Sequence, residues 1–139
     1  MKLVSVQLGG VDWVGVYRDD DSIVLFENSS LTMLNLIELG SGLRTLCDET
    51  LRNAGPADSI DPERITWRPP IRRPGKICGV AMNNSASNAR KISAPDHPAF
   101  FLKPSSCLAA HGQPIRLRPW YGSVHPEPEL AVIIGRLTR

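Results

Sequence analysis

The sequence has few of the features that mark a disulfide-stabilised or secreted protein. Its three cysteines, Cys47, Cys78 and Cys107, are an odd number, are widely spaced and form no CxxC pair. This usage argues against a disulfide framework and favours reduced thiols. The first seven residues include polar side chains where a signal peptide needs an unbroken apolar region. We therefore expect a cytoplasmic protein.

Long apolar runs and an excess of one charge are also absent. No apolar stretch approaches the length of a membrane span, so no membrane partner is expected. The formal net charge is +2, with acids and bases interspersed, which argues against a nucleic-acid partner. With 139 residues, of which 42% are apolar, the chain can form one average domain or two small ones.

The N-terminal part has the pattern of a β-meander followed by two helices. Gly9 and Gly10 supply the first turn, and Ser29 or Ser30 is the expected cap of the first helix. Cys47 falls on the apolar stripe of the second helix, which predicts a core thiol. The three strands and two helices are expected at residues 3–7, 11–17, 23–26, 31–39 and 43–55.

A proline- and arginine-rich stretch follows at residues 58–75. Proline favours extended backbone and removes hydrogen-bond donors, so the stretch is predicted to be a semi-rigid connector. The domain boundary is placed here, with one domain at 1–70 and a second at 71–139. The alternative is a phosphate-binding strip of arginines with Trp67 stacking on a base. The balanced overall charge makes this second interpretation the weaker one.

The C-terminal half is rich in predicted strands, and the last of them carries two carboxylates. Alternation along residues 124–136 places Glu127 and Glu129 on one face and an apolar stripe on the other. Two glutamate side chains at this spacing can reach one hard cation, with His125 as a neighbour. The alternative is an exposed strand edge with alternating charge. The other strands are expected at residues 76–81, 99–102 and 115–118.

This half contains four recognisable blocks, which are KICGVAMN at 76–83, FFLKPSS at 100–106, GQPI at 112–115 and EPELAVIIGR at 127–136. In this order they resemble the fumarylacetoacetate hydrolase family. Members of that family are metal-dependent enzymes, usually homodimers, that hydrolyse, decarboxylate, isomerise or dehydrate small 2-oxo or 1,3-dicarbonyl carboxylic acids. The resemblance implies an α+β chain in which the small N-terminal domain precedes the first part of a mostly-β catalytic domain.

The resemblance assigns roles to individual residues. Glu127 and Glu129 take the place of the family's Glu-x-Glu metal ligands, which implies Mg²⁺ or Mn²⁺ as cofactor. Lys103 is expected beside the substrate, where it would neutralise a carboxylate; a surface lysine at a turn is the alternative. Ser87 and Arg90 fall where hydrolytic members carry the His and Glu that activate water, so they are the candidate catalytic positions.

Neither residue can activate water by itself. The hydroxyl of Ser87 is a poor proton acceptor without a base, and Arg90 stays protonated, which argues against C–C bond hydrolysis. Arg90 instead resembles the arginine of the 2-keto-3-deoxy sugar acid dehydratase branch, where it would clamp a substrate carboxylate. A solvated arginine at a helix start is the other interpretation.

The family's third metal ligand, an aspartate, and a second lysine follow the last matching block. We therefore expect this chain to be a fragment of a longer enzyme, or a truncated product that needs another chain, and to be inactive when isolated. A catalytically inactive binding or assembly module that keeps the family's dimer surface is the second hypothesis.

Overall fold

The computed structural model of the chain describes residues 1–81 and 99–137. Two compact units are present. The first contains residues 1–71 and 109–139, and the second contains residues 72–108. Strands and helices occur in the first unit and a two-stranded hairpin occurs in the second, as expected for an α+β chain.

The first unit is built on a five-stranded antiparallel sheet. The predicted meander is confirmed, because each of the first three strands pairs with the next. Gly9 and Gly10 have φ of +58° and +83°, the left-handed conformation that a two-residue hairpin turn requires and that glycine adopts without strain. The order is β4-β3-β2-β1-β5, with β1 Lys2–Leu8, β2 Val11–Tyr17, β3 Ile23–Leu25, β4 Ser59–Ile60 and β5 Thr66–Arg68.

The acidic turn before β3 is held by its own hydrogen bonds. Asp20 Oδ1 accepts hydrogen bonds from the backbone N–H and the hydroxyl of Ser22, which hold the pKa of Asp20 below its usual value. The hydroxyl of Tyr17 donates to Asp21 Oδ1, and this bond raises the pKa of Tyr17. Asp21 has φ of +61°, a conformation that aspartate tolerates in turns.

Two helices follow β3, α1 at Met33–Glu38 and α2 at Gly42–Asn53. The predicted cap of α1 is wrong by two or three residues, because Thr32 takes that role. Asn35 N–H donates to Thr32 Oγ1 and Thr32 N–H donates to Asn35 Oδ1, so each side chain satisfies a backbone donor of the other residue. Ser30 instead donates from its N–H and its hydroxyl to Asn28 Oδ1.

Both helices contribute to one apolar core with the sheet. Cys47 is completely buried, as the helical stripe predicts, and Leu36 is equally inaccessible. Burial raises the pKa of the Cys47 thiol, because a thiolate would lose its hydration there. The buried members of the core are Val14, Val16, Phe26, Met33, Leu36 and Cys47.

The proline- and arginine-rich stretch is not simply a connector. It supplies the two outer strands of the sheet, β4 beside β3 and β5 beside β1. The strands are only two and three residues long, so prolines in the stretch lie outside the ladders and leave them intact. Trp67 packs against Tyr17 and His111, with ring centroids 6.3 and 5.8 Å apart. This half-buried indole is part of the packing of the first unit.

The second unit contains a hairpin of β6, Ile77–Ala81, and β7, Ala99–Lys103. Both strands lie where the sequence predicts them. In β6, Cys78 is exposed and the other residues of the strand are only half-buried. A two-stranded ladder by itself provides too few neighbours to bury either face.

Residues 109–137 contain no strand in the part that the structure describes, so the strands predicted at 115–118 and 124–136 are wrong. A strand needs a neighbour for its backbone groups, and no described strand pairs with these residues. A 3₁₀ turn, Pro119–Tyr121, is the regular element found there. The segment passes close to α1, since a Cβ added at Gly135 would lie 2.9 Å from Cγ2 of Ile37.

Neither helix in residues 1–81 and 99–137 has the length and apolar character needed to cross a bilayer.

Candidate functional site

The β6–β7 hairpin holds both ends of the segment that carries the predicted catalytic positions. Ala81 pairs with Ala99, so residues 82–98 leave the ladder and return to it at the same end. Ser87 and Arg90 belong to this segment, and both lie outside the described residues. Their predicted roles therefore remain predictions.

Lys103 stands at the opposite end of the hairpin, where it pairs with Ile77. Lys103 is four residue steps along the strand from Ala99, a distance of about 13 Å. Its ammonium group lies over the ring of Phe101, with Nζ 5.6 Å from the ring centroid. The side chain of Lys103 is exposed to solvent.

A tight turn directly after β7 fixes the backbone beside Lys103. The N–H of Cys107 donates to the carbonyl of Pro104 at 3.1 Å, and the 3₁₀ turn Ser105–Cys107 follows. The side chain of Cys107 is exposed, and its thiol lies 2.8 Å from the same carbonyl oxygen.

Glu127 and Glu129 lie in the irregular part of the first unit, and both are exposed. The structure brings Glu127 together with His125, whose Nε2 is 3.7 Å from Glu127 Oε1. The two groups form an ion pair only when the imidazole is protonated. This contact agrees with the prediction that His125 is a neighbour of the acidic pair.

The donor chemistry of these two side chains suits a hard divalent cation, since both supply carboxylate oxygens. Within residues 1–81 and 99–137, no three His, Cys, Asp or Glu side chains are grouped so as to hold a metal. Two carboxylates provide only part of an octahedral shell. The predicted Mg²⁺ or Mn²⁺ site therefore remains a prediction. Lys103 and the acidic pair belong to different units.

Sequence reasoning gave His111 no role, yet its ring packs edge-on against Trp67 in the first unit. Beside it, Ala110 is buried, and its backbone exchanges hydrogen bonds with Gln113. A histidine in a turn carries no periodic signal, so only the fold reveals this contact.

The region that contains the four sequence blocks matches a known protein family. Residues 76–139 match the family profile described as "Fumarylacetoacetate (FAA) hydrolase C-terminal". The match begins at the residue before β6 and includes Lys103, Glu127 and Glu129.

Several curated proteins are similar to the chain. "Oxaloacetate tautomerase FAHD1, mitochondrial" of Bos taurus is 38% identical over 67 residues, which is 47% of this chain and 30% of the relative. "Oxaloacetate tautomerase YcgM" of Escherichia coli is 37% identical over 59 residues, 41% of this chain and 27% of the relative. "Oxaloacetate tautomerase FAHD2A, mitochondrial" of Bos taurus is 30% identical over 107 residues, 76% of this chain and 33% of the relative.

The last of these matches is longer than the region covered by the family profile, so it extends beyond residues 76–139. In each of the three cases the matched part amounts to about a third of the relative's length or less.

Proposed function

Because residues 76–139 belong to the fumarylacetoacetate hydrolase family, we propose that the protein is a divalent-metal-dependent isomerase that interconverts the keto and enol forms of a small 2-oxo acid. Oxaloacetate is the proposed substrate, since the relatives at 37–38% identity are named oxaloacetate tautomerases. The match over residues 76–139 is the observation that carries the proposal. The residues at positions 87 and 90 support tautomerisation rather than hydrolysis, because neither serine nor arginine activates water by itself.

Tautomerisation moves one proton between carbon 3 of the acid and the oxygen on carbon 2, while the π bond shifts between C2=O and C2=C3, and no other σ bond is made or broken. Negative charge develops on that oxygen when the proton leaves carbon, so the site must stabilise an enolate. Glu127 and Glu129 would hold Mg²⁺ or Mn²⁺, which when bound supplies a Lewis acid for the substrate oxygens.

The protein's own cationic side chains would hold the substrate. Lys103 supplies a single positive charge at the end of β7, and its contact with the Phe101 ring restrains the long side chain. Arg90 would bind a carboxylate through two parallel hydrogen bonds, which fixes the orientation of the acid. Ser87 would donate or accept one hydrogen bond beside the reacting atoms. These roles assign substrate binding to Lys103 and Arg90, and a hydrogen bond beside the reacting atoms to Ser87.

The test is the rate at which enol-oxaloacetate absorbance decays in the presence of Mg²⁺ and a full-length version of the enzyme. We expect a rate above the uncatalysed one that falls at least about tenfold in Lys103→Ala, since a charge-assisted hydrogen bond contributes roughly 1.5–3 kcal/mol. Lys76→Ala, which removes an exposed lysine just before β6, is the matched control and should keep the rate. A rate equal to the buffer blank would overturn the proposal.

Metal dependence is tested separately by calorimetric titration with Mg²⁺ and Mn²⁺. We expect heat of binding that is lost in a Glu127→Ala, Glu129→Ala double variant and kept in Glu63→Ala, an exposed carboxylate elsewhere. Equal heats for the wild-type chain and the double variant would argue against the acidic pair as ligands. That result would favour the alternative of a catalytically inactive binding or assembly module.

A second candidate activity is dehydration of a 2-keto-3-deoxy sugar acid, which the arginine at position 90 favours. A panel of oxaloacetate, acylpyruvates and 2-keto-3-deoxy sugar acids separates the two. Turnover of sugar acids alone would support the dehydratase and reject the tautomerase. Turnover of acylpyruvates alone would instead indicate hydrolysis and reject both.

We also propose that the protein is a cytoplasmic homodimer. The cytoplasm suits a chain with three free cysteines, two of them exposed, because such thiols stay reduced there. The Bos taurus relatives carry "mitochondrial" in their names, so fractionation of cells is the direct test. Sedimentation equilibrium tests the dimer, and a single species of one chain would contradict it.

A further inference from the structure

The first unit contains a groove of about 360 Å³ that lies between the end of β3 and helix α2. All of its lining residues fall within residues 24–58, which precede the region matched by the family profile. The groove is therefore built from the N-terminal part of the chain, and the proposed isomerase activity gives it no role. Its volume is within the range of small-molecule sites, about 300–1,000 Å³.

The floor of the groove is apolar. Val24 of β3 and Phe26, which follows that strand, are buried and contribute the base, while Leu31 and Leu46 are half-buried and form the sides. An alkyl chain placed on this floor would remove apolar surface from water at roughly 25 cal/mol per Å². The floor thus favours a ligand with an aliphatic body.

The rim of the groove is acidic. Glu27, Glu49 and Asp58 surround the opening, and no lysine or arginine lines it. Asp58 Oδ2 already accepts a hydrogen bond from the N–H of Gly55. Within the described residues, neither Glu27 nor Glu49 takes part in a salt bridge, so both carboxylates are available to a cation from outside. Asn28 and Asn53 add neutral polar groups.

We propose that this groove binds an aliphatic amine, a small molecule with an ammonium group on an alkyl body. The ammonium group has three donors and a positive charge that complement the carboxylates of Glu27 and Glu49, while its alkyl body covers Leu31 and Leu46. The same rim repels an aliphatic carboxylate, and an aliphatic alcohol would gain only the apolar contact. The acidic rim and the apolar floor together favour an aliphatic amine over a carboxylate or an alcohol of the same length.

The experiment is a titration of the ¹⁵N-labelled chain with hexylamine, followed by its amide resonances. We expect shifts that saturate and that map to residues lining the groove. A Glu27→Gln, Glu49→Gln double variant should weaken binding about fivefold, since each exposed ion pair contributes roughly 0.2–1 kcal/mol. Asp48→Asn, which removes an exposed carboxylate of α2 that does not line the groove, should leave the affinity unchanged.

Hexanol and hexanoate are the matched ligands of equal chain length. Weaker binding of both, with hexanoate the weakest, would support the proposal. Equal binding of all three, shifts spread evenly over the surface, or an unchanged affinity in the double variant would each overturn it. None of these outcomes depends on oxaloacetate turnover, so this proposal and the isomerase proposal can fail independently.

Discussion

Gly79 and Phe101 face each other across the β6–β7 ladder, and the phenyl ring of Phe101 lies over the glycine. A Cβ added at Gly79 would come closer than 3.0 Å to three carbons of that ring. The same ring contacts the ammonium group of Lys103. The absence of a side chain at position 79 therefore positions the aromatic ring that restrains the proposed substrate-binding lysine.

Replacing this glycine tests that relationship. Gly79→Ala should displace the Phe101 ring and destabilise the hairpin by about 1–3 kcal/mol, the usual cost of overpacking. Amide hydrogen exchange of β6 and β7 is the measurement, and faster exchange is expected. Gly75→Ala is the control, because a Cβ there meets nothing within 4 Å. Equal exchange rates in the two variants would show that the ring moves aside without cost.

The cap of α1 gives a second prediction. Thr32→Ala removes the acceptor for the Asn35 N–H and should lower the free energy of unfolding by about 0.5–2 kcal/mol. Ser29→Ala is the control, since Ser29 was an equally good candidate from the sequence and makes no side-chain hydrogen bond within the described residues. Urea denaturation measures both. A larger loss of unfolding free energy for Ser29→Ala than for Thr32→Ala would show that Ser29, a candidate from the sequence pattern, caps α1.

Alkaline pH should destabilise the chain through Cys47. The folded pKa of this buried thiol is raised above its ordinary value of 9.0, so the unfolded chain loses the proton first. Stability is therefore fully present below the ordinary thiol pKa and is lost as pH rises from there toward the folded pKa. Unfolding free energies of wild type and Cys47→Ala, measured across this window, should show a steeper decline for wild type. Parallel declines would contradict the prediction.

The C-terminal segment should promote self-association. Leu130, Val132 and Ile134 are 93%, 76% and 67% exposed, and no described strand covers their backbone. Exposed apolar residues in alternation are a template for intermolecular strand pairing. Val132→Lys should reduce light scattering at high protein concentration. Leu34→Lys, at an exposed apolar position on α1, should have little effect, and an equal reduction by both would point to general solubility instead.

Much of the N-terminal architecture was predictable because near neighbours in the sequence determine it. Gly9 and Gly10 specify a tight turn by their backbone freedom, and the apolar period around Cys47 specifies a helix with a buried face. The cap of α1 was less predictable, because Ser29, Ser30 and Thr32 are all chemically suitable. Only the partner at Asn35 separates them, and its contribution depends on where the helix starts.

At the candidate site, too, some features were predictable from the sequence and others depend on the fold. The four sequence blocks and their order identified the family, and the carboxylates of Glu127 and Glu129 indicated a preference for a hard cation. The fold alone determined that Phe101 lies over Gly79 and holds Lys103, that Trp67 packs on His111, and that residues 124–136 are not a strand. These outcomes depend on contacts between residues that are distant in the sequence. A strand in particular needs a second strand to pair its backbone hydrogen-bonding groups. The alternation of side chains encodes a preference for that pairing, whereas the partner is supplied only by the tertiary structure.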